Sequence, residues 1–291
     1  MAHRIFAEPA PGVIAHTAAS RAIVDFHGLS AGMQEFTSTL WPAGPRLLDA
    51  VLRWPGSGEP NEAAYNLVSG KSEIFWEEYA RDEGKMQRFA DAMVFLGAKP
   101  GLEVERFLDA VDWTGVEVVV DVGGSQGKVA RELVKRLPSG GRVVVQDREE
   151  VIRGVVESDE AMDGRVEFQV HDFFTEQKFE GADVYVLRLI LHDWSDKYCR
   201  AILRGLIPAL KKGARIIVND SILPEVGQVS KYQEMLLRQP DLMMWSLFNA
   251  KERDEADWRR LFADTDDRFK VTRIARPPGQ ALGVVEVVWQ G

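Results

Sequence analysis

Short runs of β-branched residues alternate with amphipathic segments in the chain from Val116 onward. The apolar runs are VEVVVDV, RVVVQD, VEFQV, DVYVLRL and RIIVND, and helix-like segments such as GKVARELVKRL separate most of them. Apolar strands that alternate with helices predict a parallel sheet covered on both faces. Two later runs, FKVTRIA and GVVEVVW, flank a turn-rich segment and predict a closing antiparallel pair. The pattern predicts an α/β fold with a Rossmann-like doubly wound sheet, mostly parallel with an antiparallel C-terminal strand.

The N-terminal part of the chain, residues 1–110, has a different texture. It is helix-like, with tryptophans and phenylalanines scattered among charged residues. At its start, RIFAE and VIAHT flank a turn signal and predict one small hairpin. The segment LRWPGSGEPNE predicts a loop with freedom to move. We therefore expect a mainly helical region over 1–110, followed by a cofactor-binding domain over 111–291.

Charge and cysteine content narrow the partners and the compartment. The 291 residues carry a net charge of −9, which argues against a nucleic acid or an anionic membrane as the main partner. The single cysteine, Cys199, excludes an internal disulfide and fits a reducing compartment. The N-terminus lacks a signal-peptide pattern, and no window approaches the roughly 20 apolar residues that span a bilayer. These features predict a cytoplasmic protein.

A glycine-rich turn follows the first strand of the α/β part. In VVVDVGGSQGKVARELV the strand ends at Asp121, and Gly123, Gly124 and Gly127 lead into a helix. Glycines allow the backbone to approach a ligand closely. The next strand ends in Asp147, where doubly wound folds place an acid that binds ribose hydroxyls. A tight turn without a ligand is the alternative, but the order of these features favours an adenosine-type ligand.

The spacing of this turn separates two cofactor classes. Nicotinamide and flavin sites use G-x-G-x-x-G, whose helix N-terminus receives a pyrophosphate. Here the pattern is DVGGSQG, and a carboxylate at Asp121 suits a cationic ligand better. S-adenosylmethionine, with a sulfonium and an ammonium, is therefore favoured over NAD. Asp172 and Phe173, just beyond the third strand, fit an adenine site, although alone they are more typical of a helix-capping Asp and a buried Phe.

A histidine lies where the fourth strand ends. His192 belongs to LRLILHDWSDKYCRAIL, and Ser195 can cap the helix that follows. Ligands of open α/β sheets bind beyond the carboxyl ends of the strands. A lone histidine is more often structural, but its position beside the glycine-rich turn favours a catalytic role.

The motifs HDWSD, DVGGSQG and VVQD together resemble those of the small-molecule O-methyltransferases, which include plant caffeic acid and flavonoid enzymes and many fungal polyketide enzymes. The chain is most similar to the fungal group, and the resemblance covers residues 116–291 best. It implies S-adenosylmethionine as the cofactor. The positions that the resemblance assigns to cofactor binding are Asp121, Gly123, Gly124, Asp147, Asp172, Phe173, Arg188 and Trp194.

The resemblance also implies the catalytic residues. His192 matches the general base, and Asp220 and Glu252 match its flanking acids. Plant members usually carry Glu where this chain has the shorter Asp220. A phenol with a pKa of ~10 is a poor nucleophile, and a histidine with a pKa of ~6.5 can accept its proton. Nothing in the sequence indicates a metal.

The expected acceptor is a small phenolic or polyketide-type molecule. Its pocket is expected between the helical region and the segment LLRQPDLMMWSLFNA. Apolar side chains suited to a flat aromatic molecule are Phe89, Met93, Met243, Met244 and Phe248. Each of them, taken singly, is equally consistent with ordinary core packing.

One departure and two alternatives remain. Members of the family carry a longer N-terminal winged-helix-like dimerisation domain, of which RIFAEPAPGVIAHTAASR resembles the last part. Because most of that domain does not match any part of this sequence, the resemblance implies a homodimer of the family type less strongly.

The first alternative function is an S-adenosylmethionine-binding pericyclase or isomerase on the same scaffold, in which the cofactor supplies charge. The second is a non-catalytic, methyltransferase-like accessory subunit.

Overall fold

The structure is a computed structural model that describes residues 3–153 and 164–291. The chain begins with an antiparallel hairpin of β1 (Phe6–Ala10) and β2 (Val13–His16), which turns at Gly12 with a φ of 78°. This is the hairpin that the sequence predicts. The helices that follow are α1 (Ala18–Asp25), α2 (His27–Glu35), α3 (Trp41–Ala43), α4 (Leu47–Arg53), α5 (Ala64–Ser69), α6 (Phe75–Ala80), α7 (Glu83–Gly97) and α8 (Val104–Asp109).

The second half of the chain alternates strands and helices. The strands are β3 (Val118–Val122), β4 (Arg142–Asp147), β5 (Val166–Val170), β6 (Val184–Arg188), β7 (Arg215–Asn219), β8 (Ile222–Leu223), β9 (Arg253–Asp254), β10 (Phe269–Ala275) and β11 (Val284–Trp289). The helices are α9 (Lys128–Leu133), α10 (Glu149–Ile152), α11 (Asp196–Leu206), α12 (Lys231–Phe248) and α13 (Glu255–Thr265).

Within the described residues, seven of these strands form one sheet in the order β10-β11-β7-β6-β3-β4-β5. The five strands β3 to β7 are parallel, and β11 is antiparallel to both β7 and β10. The strand order reverses between β3 and β6. This reversal is a topological switch point, the place where ligands bind in open α/β sheets. The predicted fold class and the closing antiparallel pair are confirmed.

Two apolar layers cover the sheet because its residues alternate between the two faces. Val120 and Tyr185 face a layer built on α11 and α13, in which Trp258 is fully buried. Val119 and Val186 face a layer built on α8 and α9. Both faces of the four strands β3, β4, β6 and β7 are therefore buried, as their continuous apolar runs require, whereas the edge strand β5 is more exposed.

A third apolar cluster joins the helical region to α12. It contains Tyr65, Phe75 and Tyr79 from the helical region and Leu247 and Phe248 from α12. The long helix α12 therefore packs on the N-terminal helices, although it lies late in the chain. Helix α8, in contrast, packs with α9 against the sheet. A division of the chain near residue 110 stays a prediction.

The segment LRWPGSGEPNE, expected to move freely, is held by side chains from two helices. Ser195 donates to the carbonyl oxygen of Gly58 at 2.7 Å instead of capping α11. Asn249, at the end of α12, donates to the carbonyl oxygens of Ser57 and Glu59 at 3.1 and 3.0 Å. These bonds tie the segment to the edge of the sheet where ligands are expected.

Across residues 3–153 and 164–291, every helix is too short or too polar to traverse a lipid bilayer.

Candidate active site

The glycine-rich loop between β3 and α9 folds back onto β4. The backbone amides of Gly123 and Gly124 donate to the carbonyl oxygen of Gln146 at 2.7 and 3.1 Å. Gly123 has a φ of 72°, and a Cβ atom there would lie 2.4 Å from Cδ1 of Ile190. A side chain at Gly124 would approach Oδ2 of Asp121 to 2.6 Å. The loop therefore requires glycine for both its backbone conformation and its close approaches.

Asp147, at the end of β4, holds this loop in place. Its Oδ2 atom accepts from the amide of Ser125 at 2.8 Å, and its Oδ1 atom accepts from the amide of Arg148 at 2.8 Å. Burial raises the pKa of Asp147, and the two amides oppose that change. Each carboxylate oxygen keeps a second lone pair, which can accept from a hydroxyl group.

Asp121 is buried beneath the loop. The side chain is 1% exposed, and its Oδ2 atom has no hydrogen-bond partner among residues 3–153 and 164–291. Burial and the charge of Asp147 raise the pKa of Asp121 to about 7. A buried carboxyl oxygen without a donor is costly, and a bound cation would relieve that cost. The loop therefore fits a ligand that carries positive charge.

Aromatic rings border the loop on the side of β5. Phe173 is half-buried and packs edge-on to Phe174, with ring centroids 4.9 Å apart. Trp194 is buried in the core and meets Phe174 edge-on at 4.7 Å. Asp172 is exposed, and its Oδ1 atom accepts from the amide of Phe174 at 2.9 Å. The predicted pair of Asp172 and Phe173 therefore lies at the edge of the sheet. One carboxylate oxygen of Asp172 is already bonded within a local turn.

Arg188 ends β6 between the loop and the histidine. Its guanidinium donates to the carbonyl oxygen of Leu102 at 2.8 Å and to the side chain of Asn219. Burial lowers the pKa of Arg188, and the charges of Asp220 and Asp121 oppose this. Arg188 thus acts electrostatically on acids from both sides of the switch point.

His192 lies on a single 3₁₀ turn, Leu191–Asp193, that follows β6. Its Nδ1 atom is 3.0 Å from Oε1 of Glu252, and its Nε2 atom is 3.4 Å from Oδ1 of Asp193. Burial disfavours the imidazolium, but the charges of Asp193, Glu252 and Asp220 outweigh it and raise the pKa of His192 to about 10. The bond to Glu252 fixes the ring and leaves Nε2 as the atom that faces other groups.

Asp220 and Asp193 complete a buried acidic cluster around this ring. Asp220 is 1% exposed, and neither of its carboxyl oxygens has a hydrogen-bond partner in the described part of the chain, so it acts on His192 by charge without a hydrogen bond. Burial raises the pKa of Asp220 to about 7 and that of Asp193 to about 6. Asp193 is absent from the sequence-based set of candidate residues, although its position next to His192 was a signal.

A two-stranded parallel pair brings the acids together. β8 follows Asp220 and pairs with β9, which begins directly after Glu252, so that Ile222 lies opposite Arg253. The amide of Glu252 also donates to Oδ1 of Asp241 on α12, at 2.9 Å. The pairing of β8 with β9 thus brings Asp220 and Glu252, about thirty positions apart in the chain, to the same imidazole.

The expected acceptor residues are placed in two groups. Phe248 stacks on Trp76 with centroids 5.4 Å apart and planes at 4°, and Phe89 meets Trp76 edge-on at 5.4 Å. Met243 and Met244 belong to the same cluster. Met93 lies 40% exposed on α7, and the structure does not bring it to this cluster. Trp76, absent from the sequence-based set, also contacts the core on the sheet side.

A doubly wound sheet with a glycine-rich loop at its switch point defines the class of α/β proteins that bind nucleotide-type ligands. The sequence pattern of the O-methyltransferase domain matches residues 47–266. The O-methyltransferase kk1A of Curvularia clavata is 41% identical over 100% of this chain and 68% of its own length. The chain therefore belongs to the O-methyltransferase family, whose methyl donor is S-adenosylmethionine.

Other fungal proteins and two solved structures are also similar. The O-methyltransferase pyvH of Aspergillus violaceofuscus is 37% identical over 99% of this chain and 70% of its own length. OxaC in complex with SAH and oxaline superposes with a TM-score of 0.83, at 24% identity over 98% of this chain and 72% of that one. LepI in complex with SAM gives a TM-score of 0.79, at 22% identity over 100% and 74%. At these identities the two structures support the fold alone.

Proposed function

We propose that this O-methyltransferase methylates a hydroxyl group of a small aromatic or polyketide-type metabolite, with His192 as the general base. The observation that carries the proposal is the imidazole whose Nδ1 atom is bonded to buried Glu252, one strand away from the glycine-rich loop. A curated relative supports the acceptor class: the chlorophenol O-methyltransferase of Trichoderma longibrachiatum is 36% identical over 99% of this chain and 64% of its own length.

The loop and its neighbours suit the cofactor. When bound, S-adenosylmethionine supplies a methyl group on a positively charged sulfur; an acceptor oxygen would attack the methyl carbon in line, and the sulfur would leave as a neutral thioether. Asp121 would hold the cationic part beside Gly123 and Gly124, because its unpaired oxygen is buried there. The free lone pairs of Asp147 would accept from the ribose hydroxyls. The remaining positions proposed to contact the cofactor are Asp172, Phe173, Arg188 and Trp194.

The carboxylates control the proton on His192. Because the pKa of His192 is about 10 in the free protein, the ring is protonated at neutral pH. It loses that proton more readily when a cation is bound at the neighbouring strand end, since like charges oppose each other. The neutral ring, with Nδ1–H directed to Glu252, then accepts the acceptor's hydroxyl proton on Nε2. Asp220, buried and without a hydrogen-bond partner within residues 3–153 and 164–291, stabilises the imidazolium that forms.

The acceptor would bind between the sheet edge and the helical region. The stacked rings of Trp76 and Phe248, with Phe89 against them, offer flat apolar surfaces. Met243 and Met244 can adapt around an irregular ring system. Met93, one turn beyond Phe89 on α7, is exposed and would contact only the outer part of an acceptor.

A product assay tests the reaction class. The protein is incubated with isotopically labelled S-adenosylmethionine and a panel of phenols and polyketides, and products are identified by mass spectrometry. A product heavier by one labelled methyl group supports the proposal. An isomerised product of unchanged mass would support the pericyclase alternative, and cofactor binding without any product would support an accessory subunit.

Replacement of the proposed base tests the mechanism. His192→Ala should reduce turnover by about 10²- to 10⁴-fold without weakening cofactor binding, because the ring acts on the acceptor proton. His27→Ala is the matched control, since its side chain is 83% exposed and pairs with Asp91 far along the chain. Equal turnover in His192→Ala and the parent would refute the general-base assignment.

We also propose that a second copy of the chain covers the N-terminal helices. Large apolar side chains are exposed there on α1, α3 and α4 and between α1 and α2; they are Val24, Phe26, Trp41, Leu48 and Leu52. Exposed apolar surfaces of this kind mark association sites. Light scattering coupled to size-exclusion chromatography should give twice the chain mass, and Trp41→Glu should give the single-chain mass. A parent that elutes as a monomer at every concentration would refute the dimer.

A further inference from the structure

Arg253 lies directly behind the turn that carries His192. The side chain is 0% exposed, and its guanidinium is fully used. Nη1 donates to the carbonyl oxygen of Leu191 and Nη2 to that of Trp194, both at 2.9 Å. These two carbonyl groups flank the pair His192–Asp193. The guanidinium thus spans the turn from its first residue to the residue after its last.

An ion pair fixes the guanidinium at the start of α11. Nε and Nη2 lie 3.0 and 2.8 Å from Oδ1 of Asp196, and Nη2 is 3.3 Å from Sγ of Cys199. Asp196 itself is 34% exposed, so the charge of Arg253 is buried and that of its partner is not. A buried arginine is costly unless each of its donors is satisfied, and here they are satisfied by the catalytic turn and its continuation.

Glu252, the residue directly before β9, contacts the same turn through its side chain. Glu252 reaches the ring of His192, whereas Arg253 reaches the backbone on both sides of it. Ile222, two residues after Asp220, pairs with Arg253 across β8 and β9. Two consecutive residues thus contact the catalytic turn, Glu252 at the ring of His192 and Arg253 at the backbone that carries this ring.

We propose that Arg253 is a positioning residue for methyl transfer: it fixes the turn Leu191–Trp194 so that the His192 ring stays within hydrogen-bond distance of Glu252. The proposal rests on His192 being the base. Lysine at this position keeps the charge but has no planar fork, so it cannot donate to both carbonyl groups and to Asp196 at once. The turn is then held by fewer bonds, and the ring moves relative to its acid.

The test compares Arg253→Lys with the parent and with Arg259→Lys, an exposed arginine on the next helix that pairs with Glu255. Turnover is expressed per cofactor-binding site measured by calorimetry, so that misfolded protein does not count. Arg253→Lys should lower kcat by about 100-fold, the cost of a small misplacement in an active site, with the KM for S-adenosylmethionine within about twofold of the parent. NMR titration should give a lower pKa for the His192 ring, because the distance to Glu252 grows.

If Arg253→Lys binds no cofactor, Asp196→Asn decides the question. It removes the carboxylate that orients the guanidinium, so the contacts of Arg253 with the carbonyl oxygens of Leu191 and Trp194 should weaken. Turnover per binding site that falls, together with a lowered pKa of His192, supports the proposal. A parent-like kcat and an unchanged pKa in a cofactor-binding variant overturn it. Failure of the general base is a separate result, because it appears as an active His192→Ala variant.

Discussion

Glu252→Gln removes one negative charge beside the catalytic imidazole and changes little else. The amide oxygen of the new side chain can accept the same hydrogen bond from Nδ1 of His192 that Oε1 now accepts at 3.0 Å. The ring therefore keeps its orientation and its tautomer. What changes is the stabilisation of the imidazolium, so the variant isolates the electrostatic part of the role of Glu252.

The magnitude follows from the distance. For two charges about 4 Å apart and an effective dielectric constant of about 20, the Coulomb attraction is about 4 kcal/mol, which corresponds to about 3 in pKa. The parent pKa of His192 is about 10, raised by Asp193, Glu252 and Asp220 against the opposing effect of burial. Without the charge of Glu252 it should fall to about 7. The rising limb of the kcat profile, along which the ring loses its proton, should move to lower pH by the same amount, since the neutral ring is the active form.

The assay is a titration of the His192 ring signals by NMR, with kcat profiles over about pH 5 to 11 for parent and variant. Glu255→Gln is the matched control, because Glu255 is exposed and pairs with Arg259 on the outer side of α13. It should leave both curves unchanged. A Glu252→Gln variant that titrates like the parent would refute the view that this carboxylate sets the basicity of His192.

Three further outcomes are expected. Gly124→Ala should weaken S-adenosylmethionine binding by calorimetry, because its Cβ would lie 2.6 Å from Oδ2 of Asp121; unchanged affinity would refute the close-approach argument. Asp147→Ala should weaken the same binding and loosen the loop, since Ser125 loses its acceptor; equal affinity would exclude the ribose role. Leu203→Ala should lower the free energy of unfolding by about 2–5 kcal/mol in denaturant titrations, because Leu203 is fully buried in the core under α11; a loss below that range would mean that the core closes around the cavity.

The sheet could be predicted because its signal is local. The central parallel strands are short β-branched runs with an acidic or polar residue at or next to their ends, as at Asp121 and Asp147, and most of their residues are buried. The packing of α12 could not be predicted in the same way. Its apolar side chains meet Phe75 and Tyr79, which lie well over a hundred positions earlier, and helical periodicity shows that a face is buried without showing against what.

The candidate site was predictable only in part. His192 and the glycine-rich loop stand out because they follow strands whose ends share one edge. Arg253 and Trp76 did not stand out. An arginine is usually exposed. The burial of Arg253, with its donors on Leu191, Trp194 and Asp196, depends on contacts between distant parts of the chain. The loop that carries Gly58 was expected to move because glycine and proline favour turns, yet the bond from Ser195 that holds it comes from a residue distant in sequence.

The distribution of unsatisfied polar atoms indicates the same edge independently of any relative. Buried side-chain oxygens and nitrogens in folded proteins almost always have partners, so exceptions call for a reason. Over residues 3–153 and 164–291 there are six such atoms, and four of them belong to the carboxylates of Asp121, Asp220 and Glu252. Asp121 is the last residue but one of β3, Asp220 directly follows β7 and Glu252 directly precedes β9, so all three lie around His192 and the glycine-rich loop. Concentrated negative charge without donors destabilises the free protein and is relieved by a bound cation and by the imidazolium. Before any ligand binds, the site therefore already favours positive charge at two places, the cofactor loop and His192. Methyl transfer from a sulfonium, with proton transfer to His192, would use both.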